Sequence, residues 1–516
     1  MSSNWRIFGM ILLGWTGFFY ATGLLTAGLH PDLDPYAFLG LDVYYKNGKT
    51  FYQDLKQIFQ NIFFNKSGFG LWGYIVFAFF SKFFGGNMIG IRAFFMLLGA
   101  LSFFMLYLTG RQIGWSQRES LLFPSVLIFG IQFWIWYNMC GEPVGVFLSS
   151  LTFLSLSIAA NKNSIKWLLF SSLGIIATSL SKESFILLLP AFVLFYAWRL
   201  NAINNFTWKQ LVFKVLPLAI PTAVVFLAEI AYIIVYLGAS ARGVGVSVST
   251  PISLYISVLF NFFASNTVYV YLFSGCFLLL TITAQENLLS CLTTKHFLIF
   301  FLFLLAVLLP QVILHAQSGW VTRYLFPALF ANAFALVAIL HELQAYKEYY
   351  KFYTLSLLLL IAAEMTPKVS DNPEQAFRHL RNYVSTCNAT EALLKAVVRQ
   401  SNPDDMILIV SNPVDRYVWS ASIQSMFRSI YDRKNISRLA VVPAYEYDEV
   451  AQKQIDAMQP YNETFKKINK EKIQHVVLMP FIERLFLKEH KSWFNPAFYE
   501  RHTFWRFVYY CKKKTK

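Results

Sequence analysis

Apolar runs near twenty residues long recur from the start of the chain to residue 364, separated by short polar breaks. As an α-helix, a run of that length matches the roughly 30 Å hydrocarbon core of a bilayer. The runs are continuously apolar rather than alternating, so they read as membrane helices and not as barrel strands. The pattern predicts spans at 7–27, 88–110, 119–138, 143–160, 166–180, 184–199, 211–238, 267–285, 296–314, 324–342 and 350–364, about eleven in all. The first run is too long for a secretory signal, lacks a small-residue cleavage site and is followed by many similar runs, so it is the first anchor. Segment 67–84 is apolar but Gly-rich and short of flanking charge. It reads either as a twelfth span or as a helix lying in the interface plane.

Charge decides between these two. With 67–84 in the interface and the N-terminus inside, the cytosolic loops collect Arg6, Arg111, Arg118, Lys162, Lys166, Arg199, Lys209, Lys214, Lys295, Lys347 and Lys351. The opposite short loops then hold only Lys182, Arg242 and Arg323. A spanning 67–84 would flip every later loop and reverse this bias, so the C-terminus is expected outside.

From residue 366 onward the chain is polar and charged, with short β-rich runs at 406–410, 439–442 and 475–479 and helical patterns at 373–400 and 447–471. That alternation predicts a small α/β domain. The expected organisation is a transmembrane domain at 1–365, with a first exterior loop at 28–87 carrying interfacial helices, and an exterior domain at 366–516. The fold class is thus a polytopic α-helical membrane protein with a small C-terminal α/β soluble domain.

Composition agrees: 56% of the 516 residues are hydrophobic, 14% are charged, and mean hydropathy is +0.47. The net charge of +16 does not imply nucleic acid, because the basic residues sit mostly at helix ends and in the C-terminal domain. Five cysteines, at 140, 276, 291, 387 and 511, have no metal-ligand spacing. The terminal "CKKKTK" carries Lys513 and Lys514 in a dilysine pattern, but a tail outside the cytosol cannot use one. A basic tip beside anionic headgroups is the plainer reading.

Charged residues at membrane ends are functional candidates, since facing lipid costs them several kcal/mol. The densest group is "GLHPDLDPYAFLGLDVYYKNGKTFYQDL" at 28–55, with His30, Asp32, Asp34, Asp42 and Asp54 among aromatics. Paired carboxylates beside a membrane suit a divalent cation such as Mg or Mn, or a general base. The competing reading is a solvated loop with Asp34 capping a helix ahead of Pro35. Glu229, inside a span, is expected to face the interior with a structural partner. Arg92 reads as a helix-end anchor.

The stretch "PDLDPYAFLG" resembles the Pro-Asp-Glu-x-x-Tyr-Ala pattern of the GT-C glycosyltransferases, in particular the lipid A aminoarabinose transferases and their relatives. On that match Asp32 stands for the first acidic residue, Leu33 replaces the second, and Asp34 is an extra carboxylate. "NGKTFYQDL" is similar to the family's Gly-x-x-Tyr-x-Asp segment, and "FGGNMIGIRAFFMLLGAL" to the run that opens its second span. "CGEP" puts Glu142 in the second exterior turn. "SKES" puts Lys182 and Glu183 in the third, similar to a lysine near the donor phosphate in the mannosyl- and aminoarabinosyltransferases. "VTRYLFPAL" resembles an Arg-Tyr-x-x-Pro motif and supplies Arg323 and Tyr324, close to His315. The resemblance covers roughly residues 10–340.

It implies transfer of one sugar from a polyprenyl-phosphate donor to a cell-envelope acceptor: lipopolysaccharide (including O antigen), another glycan or a protein. A phosphate leaving group needs fixed cations, for which Lys182, Arg323 and Arg242 are candidates; ordinary snorkelling competes for the first two and a plain connector loop for Arg242. The attacking acceptor must lose a proton, for which Asp32 is the first choice, with Glu142 orienting the acceptor, holding a metal or capping a helix. Whether a metal takes part is open. The expected setting is a bacterial inner membrane with the site facing the periplasm, with a dolichyl-dependent enzyme of the endoplasmic reticulum as the alternative within the class. Outside the class, a transporter or flippase of lipid-linked sugars should show repeat symmetry and interrupted helices, which the sequence does not. A non-catalytic scaffold leaves the ordered motifs unexplained.

Overall fold

The computed structural model describes residues 2–30, 88–128, 141–232, 251–256, 295–315, 326–345, 347–365, 376–412, 417–442 and 449–513, with scattered positions between 56 and 79. Helices lie at ten of the eleven expected spans: α1 (Ser2–Ala21), α2 (Met88–Gln112), α3 (Gln117–Ile128), α4 (Gly141–Lys162), α5 (Ile165–Ser179), α6 (Leu189–Asn204), α7 (Trp208–Ala231), α8 (Lys295–His315), α9 (Phe326–Glu342) and α10 (Lys347–Met365). Expected span 267–285 lies outside the described residues. Among those residues four helices are long and apolar enough to cross a membrane: Met88–Gln112, Glu142–Lys162, Ser184–Asn204 and Trp208–Ala231.

The chain divides into two compact units. One comprises Met1–Gly17, Ile62–Gly73 and Phe95–His379; the other comprises Phe18–Asn61, Tyr74–Phe94 and Leu380–Lys516.

The first unit is a helical bundle whose turns gather at two ends. At one end Arg199 donates to the carbonyls of Gln112 (2.9 Å) and Ile113 (3.1 Å), and Asn161 donates to Gln112 (2.8 Å). At the same end Lys295 donates to the Phe206 carbonyl. Glu119, fully buried in the first turn of α3, accepts from Gln344 (2.6 Å) and lies 3.2 Å from the His341 ring. Its other bond is a reciprocal cap: Glu119 accepts from the Ser116 backbone while Ser116 Oγ accepts from Glu119 N–H.

The bundle interior is aromatic. Phe334 on α9 meets Trp115, Phe123, Phe195, Trp198 and Phe303 with ring centroids 5.3–6.0 Å apart. Helices α4 and α5 pack through small side chains instead, with Ser171 Oγ bonded to Ser155 Oγ at 2.8 Å. The outer face of α7 carries exposed Val212, Phe213, Ile220, Val224 and Leu227. An apolar face of that extent is what a helix presents to lipid.

The second unit contains an α/β fold: α11 (Ala376–Gln400, of which Leu380 onward belongs here), β1 (Met406–Ser411), α12 (Tyr417–Tyr431), β2 (Ile436–Ala440), α13 (Glu449–Lys466), β3 (Ile473–Leu478), α14 (Glu483–Glu489), β4 (Tyr499–Phe504) and β5 (Phe507–Lys512). The sheet order is β2-β1-β3-β5-β4. Strands β1, β2 and β3 are parallel, with Val410 opposite Leu439 and Leu478, and β5 runs antiparallel to β3 and β4. Inward residues alternate along the strands, so Leu408, Val410, Val476 and Leu478 form one core with Phe465, Phe486 and Phe494. The opposite edge hairpin is wetter: Arg501 forks onto Glu483 at 2.7 and 2.9 Å, and Tyr510 donates to the same carboxylate at 2.5 Å.

Candidate active site

Opposite the arginine-rich end of the bundle, the turn after α5 brings two of the sequence candidates together. Lys182 donates to Glu142 Oε1; the carboxylate is fully buried and the lysine side chain is 12% exposed. Local structure prepares both partners. Glu142 occupies the first turn of α4, where backbone N–H groups favour an anion. Lys182 has extended backbone at the start of a 3-10 turn (Glu183–Leu188), shortly past the C-terminus of α5, where a cation is favoured.

The turn is wedged in place. Phe185 Nα donates to the Lys182 carbonyl at 2.9 Å, and residues 185–188 are buried. The Phe185 ring lies against Gly145, where an added Cβ would stand 2.7 Å from it. Only glycine lets the ring approach α4 this closely. Beside the turn, Ser179 Oγ donates to Glu229 Oε1 at 2.6 Å, giving Glu229 the interior partner expected of it. Trp72 Nε1 donates to the Ala177 carbonyl in the last turn of α5 at 2.9 Å, so Trp72 lies at this end of the bundle.

The described cavities are elsewhere. One, of about 760 Å³, is lined by Ser116, Arg118, Gln344 and Lys351, and a second by residues around Ser164 and Gln210, both at the arginine-rich end.

In the second unit, the chain leaving α1 is held by the residue that the sequence marked only as a helix-end anchor. Arg92, 2% exposed, donates from Nε to the Ala27 carbonyl (2.9 Å) and from Nη2 to the Gly28 carbonyl (2.7 Å). The same nitrogen reaches Cys387 Sγ at 3.4 Å, and the guanidinium lies 5.5 Å from the Tyr383 ring centroid. These carbonyls and the aromatic face hold the buried cation in place. The Gly28 N–H donates to Asn388 Oδ1 at 3.2 Å. A Cβ at Gly28 would meet the Glu391 side chain and stand 2.9 Å from the Cys387 backbone carbonyl, so a larger residue fits only if the backbone shifts. His30, 8% exposed, stacks on Tyr383 at 4.3 Å and meets Trp419 edge-on at 5.7 Å. It is a packed residue rather than a free imidazole. Burial pushes the Tyr383 hydroxyl well above its ordinary range and the Cys387 thiol up, so both are neutral.

Two of the remaining candidates have a described backbone. Glu183 opens the 3-10 turn and His315 closes α8. Asp32, Asp34, Asp54, Arg242, Arg323 and Tyr324 lie outside the described residues. Among the described residues no group of His, Cys, Asp or Glu has the geometry of a metal site. The Oε1 of Glu142 is already occupied by an ammonium, which a metal would have to displace.

Residues 71–226 match the family model of dolichyl-phosphate-mannose-protein mannosyltransferase. The likeness to GT-C glycosyltransferases read from short motifs is therefore shown over this stretch, which contains Arg92, Glu142 and Lys182. Among solved structures the chain is similar to the crystal structure of ArnT from Cupriavidus metallidurans bound to undecaprenyl phosphate. Identity is 12% and the TM-score 0.46, over 97% of this chain and 98% of that one. No curated protein matches the chain.

Proposed function

We propose that this protein is an integral membrane glycosyltransferase that moves a single sugar from a polyprenyl-phosphate donor to a cell-envelope acceptor. The observation that carries the reading is the family match over 71–226, because that stretch holds the buried Lys182–Glu142 pair. In this reading the pair faces the exterior of a bacterial inner membrane and undecaprenyl phosphate is the carrier. The acceptor is lipopolysaccharide, another surface glycan or a protein.

The roles follow from the chemistry. Departure of the sugar leaves negative charge on the carrier phosphate, and a partly dehydrated ammonium stabilises it far better than bulk water does. Glu142 fixes the Lys182 ammonium in a site where a lone cation would be costly. Arg323 supplies a second, forked donor to the same phosphate. Asp32 takes the proton from the acceptor as it attacks the anomeric carbon.

The test uses proteoliposomes offered a panel of undecaprenyl- and dolichyl-phosphate hexoses and pentoses with a cell-envelope acceptor fraction. Transfer predicts free polyprenyl phosphate and acceptor-bound sugar in equal amounts. Movement of intact donor across the bilayer without release of the carrier would identify a transporter instead.

A further inference from the structure

We propose that the C-terminal domain is a positioning element for the transfer reaction: α11, together with Arg92, fixes the segment 27–30 from which the acidic loop departs. This rests on the reading of Asp32 as the proton acceptor, two residues beyond His30 in the chain.

The contacts are those of a clamp with both backbone polarities satisfied. The carbonyls of Ala27 and Gly28 take the Arg92 fork, and the Gly28 N–H is taken by Asn388 on α11. Gly28 itself is pressed against the α11 backbone, its missing Cβ 2.9 Å from the Cys387 carbonyl. One turn away, Tyr383 receives His30 on its face and lies beneath the guanidinium. Trp419 of α12 closes the other side of His30. Three of the four residues 27–30 are thus held by side chains from three separate parts of the sequence.

The energetics favour a specific arrangement over a merely sticky one. Arg92 is nearly fully buried and contacts neutral groups, since the thiol of Cys387 and the hydroxyl of Tyr383 are both protonated. Its charge is compensated by carbonyl dipoles and a ring face, and both require the segment 27–30 to be in register. Loss of register leaves a buried guanidinium without its acceptors, which is strongly unfavourable. Asp32 follows two residues later in the chain, so its reach is bounded by where residue 30 is held. Transfer depends on placement of the proton acceptor to within about an ångström, so a fixed segment 27–30 contributes to turnover. Arg92, Tyr383 and Asn388 are positioning residues.

Full-length protein in nanodiscs provides the test, because Cys387 is fully buried beneath the clamp and reports its opening. Tyr383→Phe keeps both ring contacts; Tyr383→Leu removes them. Alkylation of Cys387 by N-ethylmaleimide, followed on its peptide, is expected to be unchanged in Tyr383→Phe and at least about tenfold faster in Tyr383→Leu. Turnover of the donor that the wild-type protein consumes should be kept in Tyr383→Phe and fall about a hundredfold in Tyr383→Leu, with donor KM within about twofold of wild type. Asn388→Ala, which removes only the Gly28 contact, serves if Tyr383→Leu does not accumulate, with an expected loss of about tenfold. An opened Cys387 with unchanged kcat overturns the proposal, as does a Tyr383→Phe variant as impaired as Tyr383→Leu. Asp32→Asn tests the underlying reading separately: full activity there removes Asp32 as proton acceptor, while the thiol measurement still reads the clamp.

Discussion

Lys182 and Glu142, forty residues apart in sequence, meet as a buried ion pair across the hairpin of α4 and α5. The pair is expected to stabilise the turn as well as to serve a phosphate. Lys182→Ala leaves the Glu142 carboxylate buried without its lysine and should cost about 3–5 kcal/mol, whereas replacing both residues with neutral ones of similar size should recover most of that loss. Thermal unfolding in detergent of the two single variants and the double measures the coupling. Additive losses would mean that the two charges do not depend on each other.

Asp32→Asn keeps the shape of the side chain and removes its proton-accepting capacity, an effect expected to lower turnover by about 10²–10⁴. Asp34→Asn should be milder if that residue caps a helix. The comparison is a single-turnover rate in both variants at matched expression. A dead Asp34→Asn beside a tolerant Asp32→Asn would show the family motif to be in register two residues later.

The two remaining described thiols give a topology test. Cys511, half-buried on β5, is expected to react with a membrane-impermeant maleimide added outside intact cells, and Cys387, fully buried, only after denaturation. Labelling of Cys511 restricted to inverted vesicles would place the C-terminal domain in the cytosol and reverse the side on which every site residue faces.

Acid should loosen the C-terminal domain through His475. This ring is buried between Tyr509 (2.8 Å) and Asp405 (3.2 Å), and burial holds it below its ordinary value of 6.5 against the opposing pull of Asp405. The unfolded chain therefore takes up the proton first. Stability is complete above the unfolded value near 6.5 and falls as pH drops through it. Asp405 extends the loss to lower pH: burial raises it, but the Asn402 backbone N–H and His475 together hold it below 3.8. Amide exchange in β3 and β5, corrected for intrinsic rates, should be faster at about pH 5.5 than at about pH 7.5, and His475→Gln should flatten the difference. A pH-independent wild type would remove His475 as the sensitive group.

Much of the architecture was legible because length and continuity of apolar runs carry it. Helices lie at ten predicted spans, and the runs at 406–410 and 475–479 became β1 and β3. The second strand starts earlier than its apolar run, at Ile436, because it buries Arg438, which bonds Ser420 at 3.0 Å and lies 4.2 Å from the Tyr461 ring centroid. A charge satisfied only by tertiary partners breaks an apolar pattern. The β4–β5 hairpin was not predicted, since the sequence of β4, Tyr-Glu-Arg-His-Thr-Phe, is mostly polar on an exposed edge. In the candidate site, motif order put Glu142 and Lys182 at one membrane face, but their pairing is a tertiary event across forty residues. The partners of Arg92 are hidden from the sequence for the same reason: its carbonyl acceptors and the α11 side chains are distant in sequence and visible only in the fold.

In the proposed reaction a polyprenyl phosphate is recognised through its phosphate by Lys182 and Arg323. The most direct measurement is binding of undecaprenyl phosphate, against its uncharged alcohol undecaprenol, to the protein in nanodiscs. A clear preference for the phosphate is expected. Lys182→Ala and Arg323→Lys should each weaken it by about ten- to a hundredfold, and the double variant by less than the product of the two. Equal affinity for the alcohol, or wild-type phosphate binding in both single variants, would contradict it.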